Sequence, residues 1–379
     1  MKKVMIISKS QILKNLSNIP GWRTRRHLVI IESDDWGSIR MPSEEVFNSL
    51  LREGIDWYSD EGYRFNRYDS LATTEDLANL FEVLSSVYDS TNRHVVLTPV
   101  SLTANPDFTR ISNSDFNEYY YEPFTETLKK YKGCENSFKL WQEGIKKRLF
   151  VPQFHGREHL NVKVWMNALK ANNKRIRHAF SYGIWGISTA NDPEIGVELQ
   201  AAFDLVSSDD LKYQKEVIVS GLKLFEKLFG YQAAYFVPPN GPFSSTLETT
   251  CAEEGIKYLS VSKIQTEPLG HGRTKKKLHW LGQVGKAGLT YITRNCFFEP
   301  GLQEKDWVGS CLNDISIAFK WHKPAVISTH RVNYIGAIDT KNRDNGLEKL
   351  SLLLREIMKN WPDAEFITTD ELGRIIDGN

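Results

Sequence analysis

The sequence predicts an α/β protein built on one parallel sheet that curls into a barrel. Short apolar, β-branched segments recur along the chain, and polar loop residues follow each of them. Segments with apolar residues at helical spacing lie between several of these runs. Strands that alternate with helices favour parallel βα units, and seven or eight such strands favour a barrel.

The predicted elements follow this alternation in order. The strands cover residues 27–31, 94–97, 149–153, 234–237, 257–261, 289–294, 325–329 and 365–368. The helices between or after them cover residues 161–171, 210–228, 245–254 and 345–360. Two long polar and aromatic stretches, around 40–90 and 106–148, lie between early strands. We interpret both as loop insertions in a single domain that spans residues 1–379.

Composition is that of an ordinary globular chain. Of 379 residues, 41% are hydrophobic and 25% are charged, so a large core is expected and disorder is not. The 48 basic and 47 acidic residues give a net charge of +1, which provides no basic surface for nucleic acid. The one basic run, Lys275 to Lys277, is predicted to lie in a solvated loop.

Targeting signals and cysteine pairs are not evident in the sequence. No run approaches the roughly 20 apolar residues of a membrane span. The apolar segment near the start, Val4 to Ile7, is too short for the core of a signal peptide, and we therefore expect a cytoplasmic protein. The four cysteines are widely spaced, which predicts reduced thiols and excludes a zinc ribbon.

Site-like residues follow the predicted strands. In parallel barrels the active site lies at the carboxyl ends of the strands. Residues of catalytic or ligand type come directly after five predicted strands: Asp34, Asp35, His155, His159, Asn240, Arg294, Glu299 and His330. Alone, an Asp-Asp pair builds turns, a His pair lies on many surfaces and a single His is often structural. Together they indicate one site.

The chemistry of these residues is that of a metal site. His155 and His159 are four residues apart, which on a helix is the spacing of two imidazole ligands of one metal. A carboxylate balances the charge, and two imidazoles with one carboxylate are typical of hydrolytic or oxygenase centres. The second of two adjacent carboxylates can then act as a general base. The cation would remove the repulsion within the pair.

The order of these motifs resembles that of a known family. Asp-Asp after the first strand, H-x3-H after a later one, a proline-rich turn and a His near the C-terminal end are similar to the NodB-type polysaccharide deacetylases, carbohydrate esterase family 4. FITTDEL (366–372) looks like the closing strand of the family. The resemblance covers about residues 27–372 and identifies the chain as a divergent member. It implies a distorted (β/α)7 barrel with long loop insertions.

The resemblance also implies an activity and its residues. Members of the family remove acetyl groups from N-acetylated sugars with the help of a divalent metal. Here Asp34 resembles the catalytic base and His330 the general acid that protonates the leaving amine. Asp35, His155 and His159 resemble the metal ligands, and zinc is the metal expected. The implied partner is a carbohydrate substrate, with no nucleic acid and no membrane span.

Two positions near the base depart from the family pattern. The turn Pro239, Asn240 and Gly241 resembles the end of the R-x-P-Y segment, in which a backbone N–H helps to hold the oxyanion. Val237 stands where the family has the Arg that tethers the base, and Asn240 stands at the aromatic position. We predict that Arg294 replaces the missing Arg, with Arg331 as the other available cation.

A further departure concerns the acid that tunes His330. Asp306 and Trp307 match the second half of the D-x-x-D-W motif, but Gln303 occupies the position of its first acid. Asp306 and Glu299 are both candidates for the missing role.

Three alternatives to a deacetylase stay open. Val237 and Gln303 favour a non-catalytic carbohydrate-binding relative, whereas the intact Asp and His set favours an enzyme. A metal-dependent amidase that opens cyclic amides or imides on the same barrel is compatible with every motif. A nucleotide-sugar glycosyltransferase would use Asp34 and Asp35 as its metal dyad but would leave the histidines without a role.

Overall fold

The computed structural model describes residues 9–57, 62–189, 192, 194–302 and 305–378. Gln303, which replaces the first acid of the family motif, and the segment from Val4 to Ile7 lie outside the described residues. In the described part of the chain, no helix combines the length and the apolar character that crossing a membrane requires.

The strands form one large sheet and two small hairpin-like sheets. They are β1 (Leu28–Trp36), β2 (Leu97–Leu102), β3 (Ala104–Pro106), β4 (Tyr121–Pro123), β5 (Gln153–Gly156), β6 (Tyr235–Phe236), β7 (Tyr258–Ser260), β8 (Ile264–Gly270), β9 (Arg273–Leu278), β10 (Thr290–Ile292), β11 (Cys296–Phe297), β12 (Ala325–His330) and β13 (Glu365–Phe366). β3 pairs with β4 and β8 pairs with β9, both antiparallel.

The large sheet is an open barrel. Its strand order is β10-β7-β6-β5-β2-β1-β12-β11, β13 pairs with β1, and every pair is parallel. Eight flat strands would place β10 and β11 about 34 Å apart. Only residues 293–295 join these two strands, and such a segment spans at most about 14 Å. The sheet must therefore curl, and the predicted parallel barrel is confirmed, with its opening at the segment that carries Arg294.

Helices surround the barrel and fill both predicted insertions. They are α1 (Lys9–Ser17), α2 (Glu44–Arg52), α3 (Tyr63–Tyr68), α4 (Thr74–Ser85), α5 (Phe108–Asn113), α6 (Phe124–Leu128), α7 (Ser137–Lys146), α8 (Val162–Lys170), α9 (Lys174–Ser181), α10 (Asp210–Phe229), α11 (Glu248–Glu253), α12 (Trp307–Lys320), α13 (Thr340–Asn360) and α14 (Thr369–Ile376). α4 of the first insertion packs against α7 of the second and against α13. The single-domain organisation stays a prediction.

Several predicted boundaries were wrong. β2 and β5 overlap the segments predicted at 94–97 and 149–153 only at one residue, because the strands continue into polar sequence at the site. β11 was not predicted. FITTDEL is mostly helix, since Thr368 and Glu371 form a reciprocal capping box that starts α14. The lysine run lies in β9, where Lys277 pairs with Glu267 at 2.8 Å.

The central strand β1 has two different buried faces. Leu28 and Ile30 belong to an apolar cluster inside the barrel, together with Val326 of β12. Val29 and Ile31 belong to the cluster that the outer helices cover. Side chains alternate along a strand, so Glu32 and Asp34 should continue the inward face towards the carboxyl end. The inward face of β1 is therefore apolar at its start and acidic towards its carboxyl end.

Candidate active site

A cleft of about 560 Å³ lies at the carboxyl ends of the barrel strands. Residues at or just after the carboxyl ends of β1, β5, β6, β7, β10 and β12 line it, as expected for a parallel barrel. Most of the sequence-predicted site residues are among them: Asp34, Asp35, His155, His159, Asn240, Gly241, Arg294 and His330.

The backbone at Asp35 explains how two adjacent carboxylates reach the same cleft. Regular alternation would place Asp34 inside the barrel and Asp35 outside. Asp35 instead has φ = 74°, and the pairing of β1 with β2 shifts register between Ser33 and Trp36. The irregularity turns Asp35 back into the cleft and allows Trp36 to be buried on the outer side. Positive φ is uncommon for a residue with a side chain and often marks a functional position.

Three side chains converge as candidate metal ligands. Asp35 Oδ1 lies 3.3 Å from His155 Nε2 and 3.2 Å from His159 Nε2. All three residues are buried, and one potential ligand atom from each lies within 4.8 Å of the others. His155 is in β5, and His159 follows in the loop before α8. The pair therefore does not share a helix face, and the loop brings the two rings together.

The hydrogen bonds of His155 make the cluster suitable for a cation. Its Nδ1 lies 2.7 Å from the carbonyl oxygen of Val237, which can only accept, so Nδ1 carries the proton. Nε2 of the same ring faces the Asp35 carboxylate at 3.3 Å. A cation between them could be ligated by both groups, and an imidazole fixed through Nδ1 is typical of metal sites. Val237 thus supports a ligand with its backbone, although it lacks the guanidinium of the family.

The second imidazole has the electronic state that a ligand needs. Burial lowers the pKa of His159 more than the hydrogen bond and attraction from Asp35 raise it, which favours the neutral ring. Burial raises the pKa of Asp35, but hydrogen bonds from His155 and His159 lower it well below its ordinary value. A carboxylate with two imidazoles fits a divalent ion with open coordination positions.

Arg294 binds the other carboxylate, Asp34. Its Nη1 and Nη2 donate to Oδ2 and Oδ1 of Asp34, both at 2.6 Å. Nη1 also donates to Ser328 at 3.1 Å, and Nε donates to Glu32 at 2.6 Å. Burial raises the pKa of Asp34, but the charge and hydrogen bonds of Arg294 lower it below the usual value. Asp34 is therefore deprotonated at neutral pH, with its orientation set by a two-pronged contact.

His330 lies beside Asp34, as its register partner on the neighbouring strand β12, and is held by Glu299. Its Nδ1 donates to Glu299 Oε1 at 2.6 Å, and its Nε2 is 4.0 Å from Asp34 Oδ2. Glu299 Oε2 accepts from Arg64 at 2.6 Å and from Asn333 at 3.0 Å. Burial lowers the pKa of His330, but the contact with Glu299, together with the charges of Asp35 and Asp34, raises it to about 9. The ring is therefore protonated at neutral pH.

Some predicted site residues lie elsewhere. Asp306 is exposed and caps α12 through Gly309, and it does not contact His330. Arg331 is fully buried beneath the site, where it pairs with Asp69 at 2.9 Å and donates to the carbonyl of Ser38. Of the two acids left open for tuning His330, Glu299 makes the contact. Of the two cations, Arg294 contacts Asp34.

The proline-rich turn offers one backbone donor. Pro239 has no N–H and does not line the cleft. Asn240 and Gly241 line it with positive φ of 55° and 90°. The N–H of Gly241 donates to the carbonyl of Pro238 at 3.2 Å. Among the described residues, the N–H of Asn240 has no protein acceptor. This group is the donor of the turn that a ligand could use.

Sequence reasoning missed Glu32, Arg64 and the aromatic wall of the cleft. Glu32 could have been found, because it directly follows the apolar run from Leu28 to Ile31 and lies two residues before Asp34, on the same face of the strand. Arg64 lies in α3 within the first insertion, and no sequence signal connects it to Glu299. Phe65 and Phe297 line the cleft, and the Phe65 ring lies 5.2 Å from the ring of His330.

Solved structures with a related fold include carbohydrate-active enzymes. No family model and no curated protein matches the sequence. A candidate polysaccharide deacetylase from Mycobacterium smegmatis aligns over 95% of this chain and 93% of its own, with 10% identity and a TM-score of 0.43. A second, from Pseudomonas aeruginosa, aligns over 92% and 91%, with 9% identity and a TM-score of 0.46.

The structural matches are not confined to deacetylases. The allantoinase PuuE covers 94% of this chain and 93% of its own, with 11% identity and a TM-score of 0.43. The solved structures that match this chain thus include proteins described as polysaccharide deacetylases and an allantoinase. Likeness at this level does not identify the reaction, which has to be argued from the site.

Proposed function

We propose that the protein is a metal-dependent hydrolase that removes acetyl groups from an N-acetylated sugar. The observation that carries this proposal is a candidate base and a candidate acid that lie side by side on paired strands, next to a candidate metal cluster. Asp34 is held deprotonated and His330 protonated, with 4.0 Å between the nearest atoms, beside Asp35, His155 and His159. Hydrolysis of an amide requires both groups, because water must lose a proton and the leaving amine must gain one.

The candidate ligands would hold a divalent ion, for which zinc best matches the donor set. Such an ion lowers the pKa of bound water from about 15.7 towards 7 and polarises the acyl oxygen. Other first-row ions share these ligand preferences, so the identity of the metal is part of the proposal.

Asp34 would accept the proton of the attacking water. Both of its oxygens receive a hydrogen bond from Arg294, which keeps the carboxylate plane fixed relative to the cluster. This contact restricts the side chain to one orientation, and preorganisation of this kind is a large part of enzymatic rate enhancement. Arg294 would thus do in this chain what the Arg of the family pattern does.

His330 would donate the proton to the leaving nitrogen. Because Nδ1 is engaged by Glu299, the proton on Nε2 is the one that faces the cleft. The N–H of Asn240 would assist at the oxyanion of the tetrahedral intermediate. One such donor is typically worth about 2.7–4 kcal/mol in the barrier.

Aromatic rings favour a sugar as the bearer of the amide. Phe65 and Phe297 line the cleft, and Phe297 is half exposed. Exposed rings beside polar groups are suited to stacking against the apolar face of a pyranose. The structure gives no comparable argument for a cyclic amide.

The proposal is tested with purified protein supplied with zinc and a panel of probes. The panel comprises N-acetylglucosamine oligomers, UDP-N-acetylglucosamine and hydantoin. We expect acetate release from at least one N-acetylated sugar, loss of the activity with a chelator, and its return with zinc. Ring opening of hydantoin without acetate release would replace the deacetylase by the cyclic amidase. Zinc binding without turnover of any probe would favour the non-catalytic relative.

A further inference from the structure

We propose that Glu32 is a positioning residue that aims Arg294 at Asp34. Glu32 lies two residues before Asp34 on the inward face of β1 and is completely buried. The effect on catalysis rests on the proposed function, whereas the effect on the position of Arg294 does not.

Glu32 is itself fixed by three donors. Its Oε1 accepts from the hydroxyl of Thr369 at 2.9 Å. Its Oε2 accepts from the hydroxyl of Tyr235 at 3.0 Å and from Nε of Arg294 at 2.6 Å. Both oxygens are therefore used, and the carboxylate cannot rotate without breaking a buried hydrogen bond.

Arg294 needs such an anchor because of its place in the fold. It lies in the segment 293–295 at the opening of the barrel, outside the β10 and β11 ladders. Its side chain has several rotatable bonds and would lose conformational entropy when it reaches into the barrel. The backbone alone does not set the direction of the guanidinium.

The geometry of the guanidinium links Glu32 to Asp34. The group is planar and rigid, so a contact at Nε fixes the directions of Nη1 and Nη2. Glu32 engages Nε, and Asp34 engages both Nη atoms. Among the described residues, Ser328 is the other side chain that accepts a hydrogen bond from Arg294. Its neutral hydroxyl accepts from Nη1 at 3.1 Å. Glu32 is thus the charged contact that orients the fork.

A purely structural role for Glu32 predicts a different result. Removal of one member of a buried ion pair destabilises a protein wherever the pair lies. A positioning role adds a loss of kcat that depends on Arg294. Asp76 provides a matched control, because it is also a buried carboxylate and pairs with Arg343 at 3.2 Å away from the cleft.

The kinetic test uses 4-nitrophenyl acetate, an acyl ester that needs no knowledge of the natural sugar. We expect Glu32→Gln in the zinc-loaded protein to lower kcat by about 10- to 100-fold with KM nearly unchanged, the scale of a misplaced catalytic group. Zinc content should equal that of the wild type. Asp76→Asn should lower the melting temperature without this loss of kcat. Wild-type kcat in Glu32→Gln would overturn the proposal.

A double-mutant cycle separates positioning from general damage. In an Arg294→Met background, Glu32→Gln should cause no further loss, since the residue through which it acts is gone. If the two losses multiply instead, Glu32 acts independently of Arg294 and the inference is wrong.

A third readout does not depend on activity. In the zinc-free protein, the Nε–H of Arg294 should give a slowly exchanging NMR signal that is assigned by its loss in Arg294→Lys. Glu32→Gln should shift this signal and speed its exchange with solvent. An unchanged signal would overturn the positioning role. Failure of the wild type to hydrolyse any probe would count against the proposed function. The NMR comparison would still decide whether Glu32 positions Arg294.

Discussion

Asp34 and His330, the proposed base and acid, are held by the same kind of charge chain in opposite order. On the base side, the carboxylate of Asp34 is held by the cation Arg294, which in turn contacts Glu32. On the acid side, the ring of His330 is held by the carboxylate Glu299, which in turn contacts Arg64. Each of the two groups is thus paired with the opposite charge.

The difference in order determines the protonation states. A cationic neighbour lowers the pKa of Asp34 despite its burial, and an anionic neighbour raises the pKa of His330 to about 9 despite its burial. Two titratable groups only 4.0 Å apart are therefore held in the states that a base and an acid require. Variants that alter one of the two charge chains at a time can test this assignment of protonation states.

Replacement of the base should have the largest effect. Asp34→Asn keeps the size of the side chain but removes its ability to accept a proton. We expect kcat for acetate release to fall by about 1,000-fold or more, within the range for general base catalysis. Metal content should stay at the wild-type level, because Asp34 is not a candidate ligand. Retention of full turnover by this variant would contradict the proposed mechanism.

Replacement of Glu299 should shift the pH dependence. His330 must be protonated to act as an acid, so its contribution is present below its pKa and is lost as the pH rises through about 9. Glu299→Gln removes the charge that raises this pKa. The alkaline limb of kcat/KM should therefore move to lower pH, and activity near pH 8 should fall.

The shift can be checked by NMR titration of the His330 ring in the metal-free protein. The wild type should titrate near 9 and Glu299→Gln closer to the ordinary value of about 6.5. Equal values in both proteins would show that Glu299 does not tune His330.

Arg64 should have a smaller effect, because it acts through Glu299. Arg64→Met removes a donor at 2.6 Å from Glu299 but leaves Asn333 in place. We expect kcat to fall by about 10-fold. This is the lower end of the range for residues that orient a functional side chain through a hydrogen bond. An effect equal to that of Glu299→Gln would mean that the first insertion contributes as much to the acid as its direct partner.

Replacement of Asp306 should have the smallest effect on activity, because this residue belongs to neither of the two charge chains. Asp306→Ala removes the cap of α12, which should lower the free energy of unfolding by about 1 kcal/mol. Steady-state kinetics should be unchanged. A loss of activity at constant stability would restore Asp306 as a tuning residue for His330.

The same comparison explains what could be predicted from the sequence. The base side lies on or directly after barrel strands, and the apolar runs of those strands mark the positions of Asp34 and Arg294. The position of Glu32, directly after the same apolar run, could have been recognised in the same way. The acid side depends on Arg64, which an insertion brings to Glu299 through tertiary packing that no local pattern encodes. Sequence therefore could not decide between Glu299 and Asp306.

Local backbone geometry accounts for much of what else was missed. The positive φ of Asp35 cannot be inferred from alternation, which would place its side chain outside the barrel. β11 has only two residues, which are too few for a strand pattern to be recognised. β2 and β5 continue past the predicted segments into residues such as Pro99 and His155, which interrupt the apolar pattern.

The central claim is that Asp35, His155 and His159 hold one metal ion on which hydrolysis depends. The most direct test is a zinc titration of metal-free protein during acetate release from an N-acetylated sugar. We predict that the rate rises with zinc and saturates at one ion per chain, and that His155→Ala shows no rise over the same range. A rate that does not depend on zinc, or equal activation of His155→Ala, would contradict the claim.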